Sequence, residues 1–315
     1  MSRLDPPSKI VLAGAAGLVG QNLVIGLRER GFTNLVVLDK NEHNLGILAQ
    51  LNPGVIAETA DLASPGPWER HLAGASVLVM LQAQIGALDF DSFQRNNIES
   101  TRRLLAGVQR EAIPYTVHIS SSVVNSVADD MYTRTKRDQE ALVVAAATHG
   151  VILRPTLMFG WFDRKHLGWL SRFMKRTPVF PIPGSGRYLR QPLYVRDFCN
   201  VIVSCIESGA TGAFDITGRE HIYYIDMIRA IRAAIGARTP IVRIPFGLFG
   251  ALLRLWAIAD RNPPFTVEQL HALVAGDEFE VIDWERIFGV TATPLQQALN
   301  ETFRDPRYSR VALEF

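Results

Sequence analysis

A glycine-rich turn near the start of the chain, set between an apolar run and an amphipathic one, limits the fold more than any other feature. Ile10–Ala13 is a short apolar run that leads into Gly14-Ala15-Ala16-Gly17-Leu18-Val19-Gly20. Leu18–Arg30 then carries helical spacing and stops at Gly31. Glycines three apart at a strand-to-helix turn let the backbone approach a pyrophosphate, and the N–H groups and dipole of the next helix stabilise its charge. A second apolar run, Leu35–Leu38, ends at Asp39. A carboxylate there accepts hydrogen bonds from both adenosine ribose hydroxyls and repels a 2′-phosphate. Gly14, Gly17, Leu18, Val19, Gly20 and Asp39 are therefore expected to bind a dinucleotide, with NAD favoured over NADP. Lys40 is the neighbour that would accommodate a 2′-phosphate.

Further apolar runs follow at Val55–Glu58, Val77–Met80, Val117–Ser120 and Val151–Leu153, with long helical segments at Phe93–Arg110 and Tyr132–Thr148. Continuous apolar strands separated by helices predict a parallel sheet covered on both faces. After Arg154 prolines cluster, segments shorten, and a glycine loop appears at Pro183-Gly184-Ser185-Gly186. The expected class is α/β, a doubly wound parallel sheet of the Rossmann type with a smaller C-terminal substrate lobe. Residues 1–154 would form mainly the dinucleotide-binding domain and 155–315 mainly the lobe. The helix Val195–Glu207 and strand Phe214–Ile216, within 195–217, would return to the main sheet.

Of the 315 residues, 48% are hydrophobic, which is enough for a sizeable core. A net charge of +2 gives no electrostatic reason to expect nucleic acid as a partner. Cys199 and Cys205 fall six apart in one helical segment, about 240° around the axis, so a disulfide between them is not expected. The segment Met1–Lys9 has no apolar run resembling a signal peptide, and Ile244–Ile258 is too short to span a bilayer and is interrupted by Arg254. A cytoplasmic protein without a transmembrane span is expected. No histidine or cysteine spacing suggests a metal, and His118 and His166 are read as non-catalytic.

Tyr132-Thr133-Arg134-Thr135-Lys136 opens a long helix, and a spacing of four places Tyr132 and Lys136 on one face. A nearby ammonium favours a phenolate, so the spacing predicts a lowered tyrosine pKa. Tyr132 would exchange a proton with a carbinol or carbonyl oxygen while hydride moves to or from nicotinamide. Ser120-Ser121-Ser122, at the end of the fifth strand, offers a hydroxyl for the reacting oxygen.

With these elements in this order, the chain resembles the extended short-chain dehydrogenase/reductase family, in particular its nucleotide-sugar epimerases, dehydratases and reductases. The resemblance covers nearly the whole chain. It implies a catalytic triad of Ser121, Tyr132 and Lys136, the last also serving the nicotinamide ribose. Asp61 and Leu62 match a cofactor motif beside the adenine, and Asn97 matches the family's helical asparagine. Gln82, expected at the cofactor, follows the fourth strand, where paired small residues are commoner. Leu153-Arg154-Pro155 through Gly160 is similar to a segment ending beside the nicotinamide, which puts Pro155 at the cofactor. Arg190, in Arg190-Gln191-Pro192-Leu193-Tyr194-Val195-Arg196-Asp197, matches a position that often approaches a substrate diphosphate, for which a planar guanidinium fork is suited. Ser122 would face the substrate. A homodimer is also implied, through the tyrosine-bearing helix and the one before it. The apolar Ala141–Ala147 run is expected to be buried on two sides.

Three departures bear on the substrate. The acid–base pair that family dehydratases carry is replaced by Ser122-Val123, which argues against dehydration and decarboxylation. Asn125-Ser126 stands in place of the usual Tyr-Gly. Only ten residues separate Ser121 from Tyr132. The leading expectation is an NAD-dependent C4 epimerase or 4-ketoreductase whose small-molecule substrate is a nucleotide-linked sugar. The alternatives are a dehydrogenase of a sterol-like or other apolar alcohol, and a non-catalytic dinucleotide-binding scaffold. The Phe246–Trp256 stretch would line an apolar pocket, touch a membrane, or pack as a helix into the substrate lobe.

Overall fold

The apolar runs lie side by side in one parallel sheet. A computed structural model describes residues 8–85, 89–127, 130–259, 270 and 279–314. The sheet holds β1 (Ile10–Ala13), β2 (Leu35–Asp39), β3 (Ile56–Thr59), β4 (Val77–Met80), β5 (Tyr115–Ile119), β6 (Gly150–Pro155) and β11 (Gly212–Ile216). Its order is β11-β6-β5-β4-β1-β2-β3, and each pairing is parallel. The central strand β1 sets Ile10 opposite Leu35 on one side and Val77 on the other. Alternate residues feed two cores, as the two-residue period of a strand requires. Ile10, Leu12, Val37 and Val79 join Leu23, Phe198 and Ile202 on one face. Val11, Val36 and Leu78 join Leu104, Val108 and Val143 on the other.

Around this sheet, α1 (Leu18–Glu29) packs against α7 (Val195–Ser208). The chain therefore re-enters the first domain through α7 and leaves β11 as the edge strand beside β6. Cys199 and Cys205 are both buried and unpaired in α7.

The segment Phe93–Arg110 differs from the single α-helix that its spacing predicts. Phe90–Phe93 (α3) runs into a wider π-helical stretch, Gln94–Glu99, and only then into α4 (Ser100–Arg110). The wide turn carries Asn97 inward. Its Oδ1 accepts from the Gln84 backbone N–H at 2.7 Å, and its Nδ2 donates to Thr135 Oγ1 at 3.0 Å. Such insertions often mark functional positions. The tyrosine-bearing helix α5 spans Met131–Ala145, capped by Asp130, which accepts from the backbone N–H and the hydroxyl of Thr133. Within one chain the Ala141–Ala147 run is buried on one side, and the side expected to meet a partner is outward. Val143 packs into the core, but Val144 is 64% exposed and Ala141 and Ala145 face outward.

The C-terminal lobe uses much shorter pairings: β7 (Met158–Phe159) with β10 (Leu193–Tyr194), β8 (Phe180–Pro183) with β13 (Ile241–Ile244), and β9 (Leu189–Arg190) with β12 (Ile222–Tyr223). It is held mainly by side chains from α6 (Leu167–Arg176), α8 (Tyr224–Ala234) and the helix Leu295–Arg304, among them Met174, Ile228, Ile231 and Leu299. The stretch at Phe246–Trp256 is helical, as part of α9 (Phe246–Ala259); the Trp256 side chain lies outside the described residues. No described helix is long and apolar enough to cross a membrane.

Two glycines of the first turn are fixed by space. Gly14 has φ +81°, and a Cβ there would sit 2.5 Å from the Gln82 backbone; a Cβ at Gly20 would sit 2.2 Å from the Ala15 carbonyl oxygen. Backbone atoms cannot swing aside as a side chain would. We expect Gly20→Ala to cost about 1–3 kcal/mol, typical of overpacking, and to weaken dinucleotide binding as the start of α1 shifts. Thermal unfolding and a dinucleotide titration would measure both. An unchanged midpoint would show that this turn is looser than described.

Candidate active site

The turn after β1 ends at Gly17, the exposed N-cap of α1, where an added Cβ would meet nothing within 4 Å. Leu18 and Val19, half-buried in the first turn of the helix, pack against the core beneath it. Asp39, at the end of β2, holds this turn in shape: Oδ2 accepts from the Ala16 N–H at 2.8 Å and Oδ1 from the Asn41 N–H at 2.9 Å. Burial raises the Asp39 pKa, with those N–H groups and Lys40 acting the other way. Its carboxylate is thus already part of the turn, a role that the sequence reading, centred on ribose hydroxyls, does not include.

Gly14, Asp39, Lys40, Asp61, Leu62 and Gln82 line one depression at the C-terminal ends of the strands. Asp61 is paired with Arg95 and accepts from Ala63 N and Ser64 Oγ, each at 3.1 Å. Partial burial pushes its pKa up, but Arg95 and these hydrogen bonds outweigh that and hold it low. Gln82 donates from Nε2 to Thr101 Oγ1 at 3.1 Å, while its Oε1 is buried without a partner. The open helix N-terminus, the acid at the end of β2 and this orphaned acceptor form a donor and acceptor set that suits a dinucleotide.

Ser121, Tyr132 and Lys136 come together from two elements. Ser121 follows β5 and caps the short turn Ser122–Asn125; both Ser121 and Ser122 are half-buried. The Ser121 hydroxyl is close enough to Tyr132, in the first turn of α5, to favour its phenolate. The expected lowering of the tyrosine pKa is not what the surroundings produce. Burial raises it, Asp130 adds to the rise, and the Ser121 hydroxyl only partly offsets them. Lys136 is turned elsewhere: Nζ donates to the Ile119 carbonyl at 3.0 Å and to Gln139 Oε1 at 2.6 Å. Desolvation pulls the ammonium down to about 7, opposed by the charge of Glu140.

Two sets of residues were not singled out from the sequence. Gln139, one turn beyond Lys136, also donates to Thr101 Oγ1 at 2.9 Å, and Thr101 donates to the Asn97 carbonyl at 2.7 Å. Glu140 accepts from Ser120 Oγ at 2.7 Å and from Arg154 Nε at 3.1 Å. Arg154 also faces Asp215 at 3.7 Å, and Asp215 accepts from Asn125 at 2.9 Å. Helical spacing from Lys136 was the available sign, since positions three and four residues on share its face. His118 lies buried below, both ring nitrogens without a partner; burial, and then Lys136, hold it well below its ordinary pKa. Pro155 ends β6 beside Ile216. Arg190 lies in the C-terminal lobe, in β9 opposite Ile222, where its charge acts on His166, Tyr188 and Tyr224.

Comparison with known proteins agrees with this layout. The chain is 25% identical over 264 residues to a ceramide reductase of Caulobacter vibrioides, covering 82% of this chain and 81% of that protein. It is 23% identical over 285 residues to a UDP-glucose 4-epimerase of Vibrio cholerae, covering 81% and 85%. The fold matches the UDP-glucuronic acid 4-epimerase of Bacillus cereus, crystallised with NAD, at a TM-score of 0.71, 20% identity and coverage of 93% and 96%. Residues 10–242 match the model of the NAD dependent epimerase/dehydratase family. With the parallel sheet, the glycine turn and the tyrosine–lysine helix all inside that span, the chain belongs to the NAD dependent epimerase/dehydratase family.

Proposed function

We propose that this chain is an NAD-dependent C4 epimerase or 4-ketoreductase of a nucleotide-linked sugar, with Tyr132 as its general acid–base. The observation that carries the reading is that Ser121, following β5, acts directly on the Tyr132 phenol, one helical turn from the buried Lys136. Gly14, Gly17, Gly20, Asp39, Asp61, Leu62, Gln82, Asn97 and Pro155 would hold NAD or support its site, and NAD would supply the hydride acceptor or donor. Burial keeps the Tyr132 phenol protonated at neutral pH, the form that donates to a ketone oxygen. Ser121 would orient that oxygen. Ser122 would face the sugar, and Arg190 would meet the diphosphate with its planar fork. The buried, unpaired cysteines fit a cytoplasmic enzyme.

A second reading, reduction of an apolar ketone or oxidation of an apolar alcohol, is favoured by one specific observation. The chain is similar over most of its length to a ceramide reductase.

Tyr132→Phe keeps the ring and removes the proton carrier. On a substrate found by screening nucleotide-sugars and 4-keto-sugars, turnover should fall about 10²-fold or more, with NAD affinity little changed. Ser121→Ala should be milder. Near-normal turnover in Tyr132→Phe would overturn the mechanism. NAD binding without redox activity on any ligand would favour a scaffold.

Asp39→Ala should weaken NAD binding and improve NADP relative to it, because a ribose acceptor and a repelling charge vanish together. Titration with both dinucleotides decides this, and a wild-type preference for NADP would refute the assignment.

The exposed Ala141, Val144 and Ala145 of α5 and the exposed Ala106 of α4 would supply small apolar side chains to a two-fold contact. We expect a homodimer at micromolar concentration by light scattering. A monomeric mass there would refute it.

A further inference from the structure

An ordinary surface helix turns its apolar stripe to the core, whereas α9 carries apolar side chains on its outer side as well. Leu248, Leu252 and Leu255 are 54%, 48% and 64% exposed. Their spacing of four and three puts them on one stripe. The exposed Gly247 and Ala251 leave that stripe without a polar side chain. The helix is anchored from its other side, where Leu253 is buried and a Cβ on the buried Gly250 would touch Leu270. The core of the lobe, built on Ile182, Ile228, Ile231 and Leu299, includes none of the three leucines.

The chain that forms and precedes this stripe is rich in arginine between Asp226 and Asp260. From Met227 to Ala259 there are five arginines, Arg229, Arg232, Arg238, Arg243 and Arg254, and no acidic residue; the whole chain carries only +2. Arg229, Arg232 and Arg243 line one surface depression with Ile225, Ile241 and the 42%-exposed Val242. Arg243 leads through Pro245 directly into α9. Asp226, just before this span, pairs with Arg229 at 2.7 Å.

From this combination we infer that α9 and the arginine cluster of β13 and α8 form a docking surface for an anionic lipid bilayer. Helix α9 would lie in the headgroup layer, its leucines among the upper acyl carbons and its arginines on lipid phosphates. Each observation excludes a different occupant. A second copy meeting this same patch about a two-fold axis supplies no further anion to the arginines. A nucleic acid would use the arginines and leave the leucine stripe in water. The 14-residue helix is too short to span a membrane, but suits an interfacial position, where apolar insertion and attraction to anionic lipid act together. The surface shares no residue with the Ser121–Tyr132–Lys136 site, so its test does not depend on which substrate that site takes.

The test is co-sedimentation of the full chain with vesicles of phosphatidylcholine alone and with about 30% phosphatidylglycerol, a fraction chosen to approximate a natural anionic leaflet. Binding is expected to the anionic vesicles only, and to fall at least tenfold between about 0.05 M and 0.5 M salt as charges are screened. Leu248→Gln/Leu252→Gln/Leu255→Gln together should lower the remaining affinity about tenfold or more. Arg229→Gln/Arg243→Gln should remove the preference for anionic lipid. An unchanged thermal midpoint and unchanged dinucleotide binding would show that each variant is folded. The proposal is overturned if the wild type ignores anionic vesicles at low salt. It is equally overturned if the leucine variant binds as well as wild type, which means simple adsorption by charge. A change in oligomeric mass in the leucine variant would assign the stripe to a protein contact and overturn it too.

Discussion

Lys136 carries an ammonium into a position only 1% exposed, and the polar groups around it answer the unfavourable burial of that charge. The Ile119 carbonyl ties it to the end of β5, and Gln139 Oε1 ties it to its own helix. The other end of the Gln139 amide reaches Thr101 at the start of α4, whose hydroxyl also takes the Gln82 side chain. One buried cluster thus connects the loop after β4, the end of β5, and α4 and α5. The desolvation that drags the lysine down to about 7 is opposed by Glu140, itself fixed by Ser120 and Arg154. An apolar residue at 136 would avoid the desolvation and leave the Ile119 carbonyl and Gln139 without their donor. The same arrangement explains why Tyr132 and Lys136 are not in simple electrostatic contact, although they share a helical face.

Much of this was legible from residue order. The sheet strands show as apolar runs because parallel strands are buried on both faces. The glycine turn shows because only residues without a Cβ allow the approaches at Gly14 and Gly20. Ser121 and Tyr132 show because their types suit proton transfer at a strand end and a helix start. Less was legible where an ordinary polar residue acquires its role from tertiary contacts. Nothing in Asn97 alone announces a π turn, and Gln139 and Glu140 resemble any solvated helix residues until the positions of Thr101, Ser120 and Arg154 are known. The tyrosine pKa was misread for the same reason. Spacing places the ammonium on the same face, but burial and Asp130 set the direction.

The two halves of the molecule are held by different forces, and this bears on what each can vary. The first domain rests on continuous backbone pairing, four to six residues per strand, under two apolar cores. The lobe rests on pairings of two to four residues and on packing among Tyr188, Tyr224, Ile228 and Met174. Changes of lobe side chains therefore disturb few backbone hydrogen bonds, and a family can keep its dinucleotide turn while its substrate wall changes. Proteins as different in name as a ceramide reductase and a UDP-glucose 4-epimerase match most of this chain at similar identity, as such a division would allow.

Helix α9 shows what periodicity leaves undetermined. Its sequence is apolar nearly all round, so no pattern along the chain says which side meets the protein. That choice is made by the lobe. Its core is filled by α6, α8 and the helix Leu295–Arg304, and Gly250 and Leu253 are the buried positions of α9 among the described residues. The leucines left outside would be a solubility liability on an isolated surface. Arg229, Arg232 and Arg243 line a depression on α8 and on β13, the strand that leads into α9, and only Arg229 of the three has an ion-pair partner among the described residues. Chance exposure of a hydrophobic helix requires no such cluster. A surface that meets both hydrocarbon and phosphate requires both features.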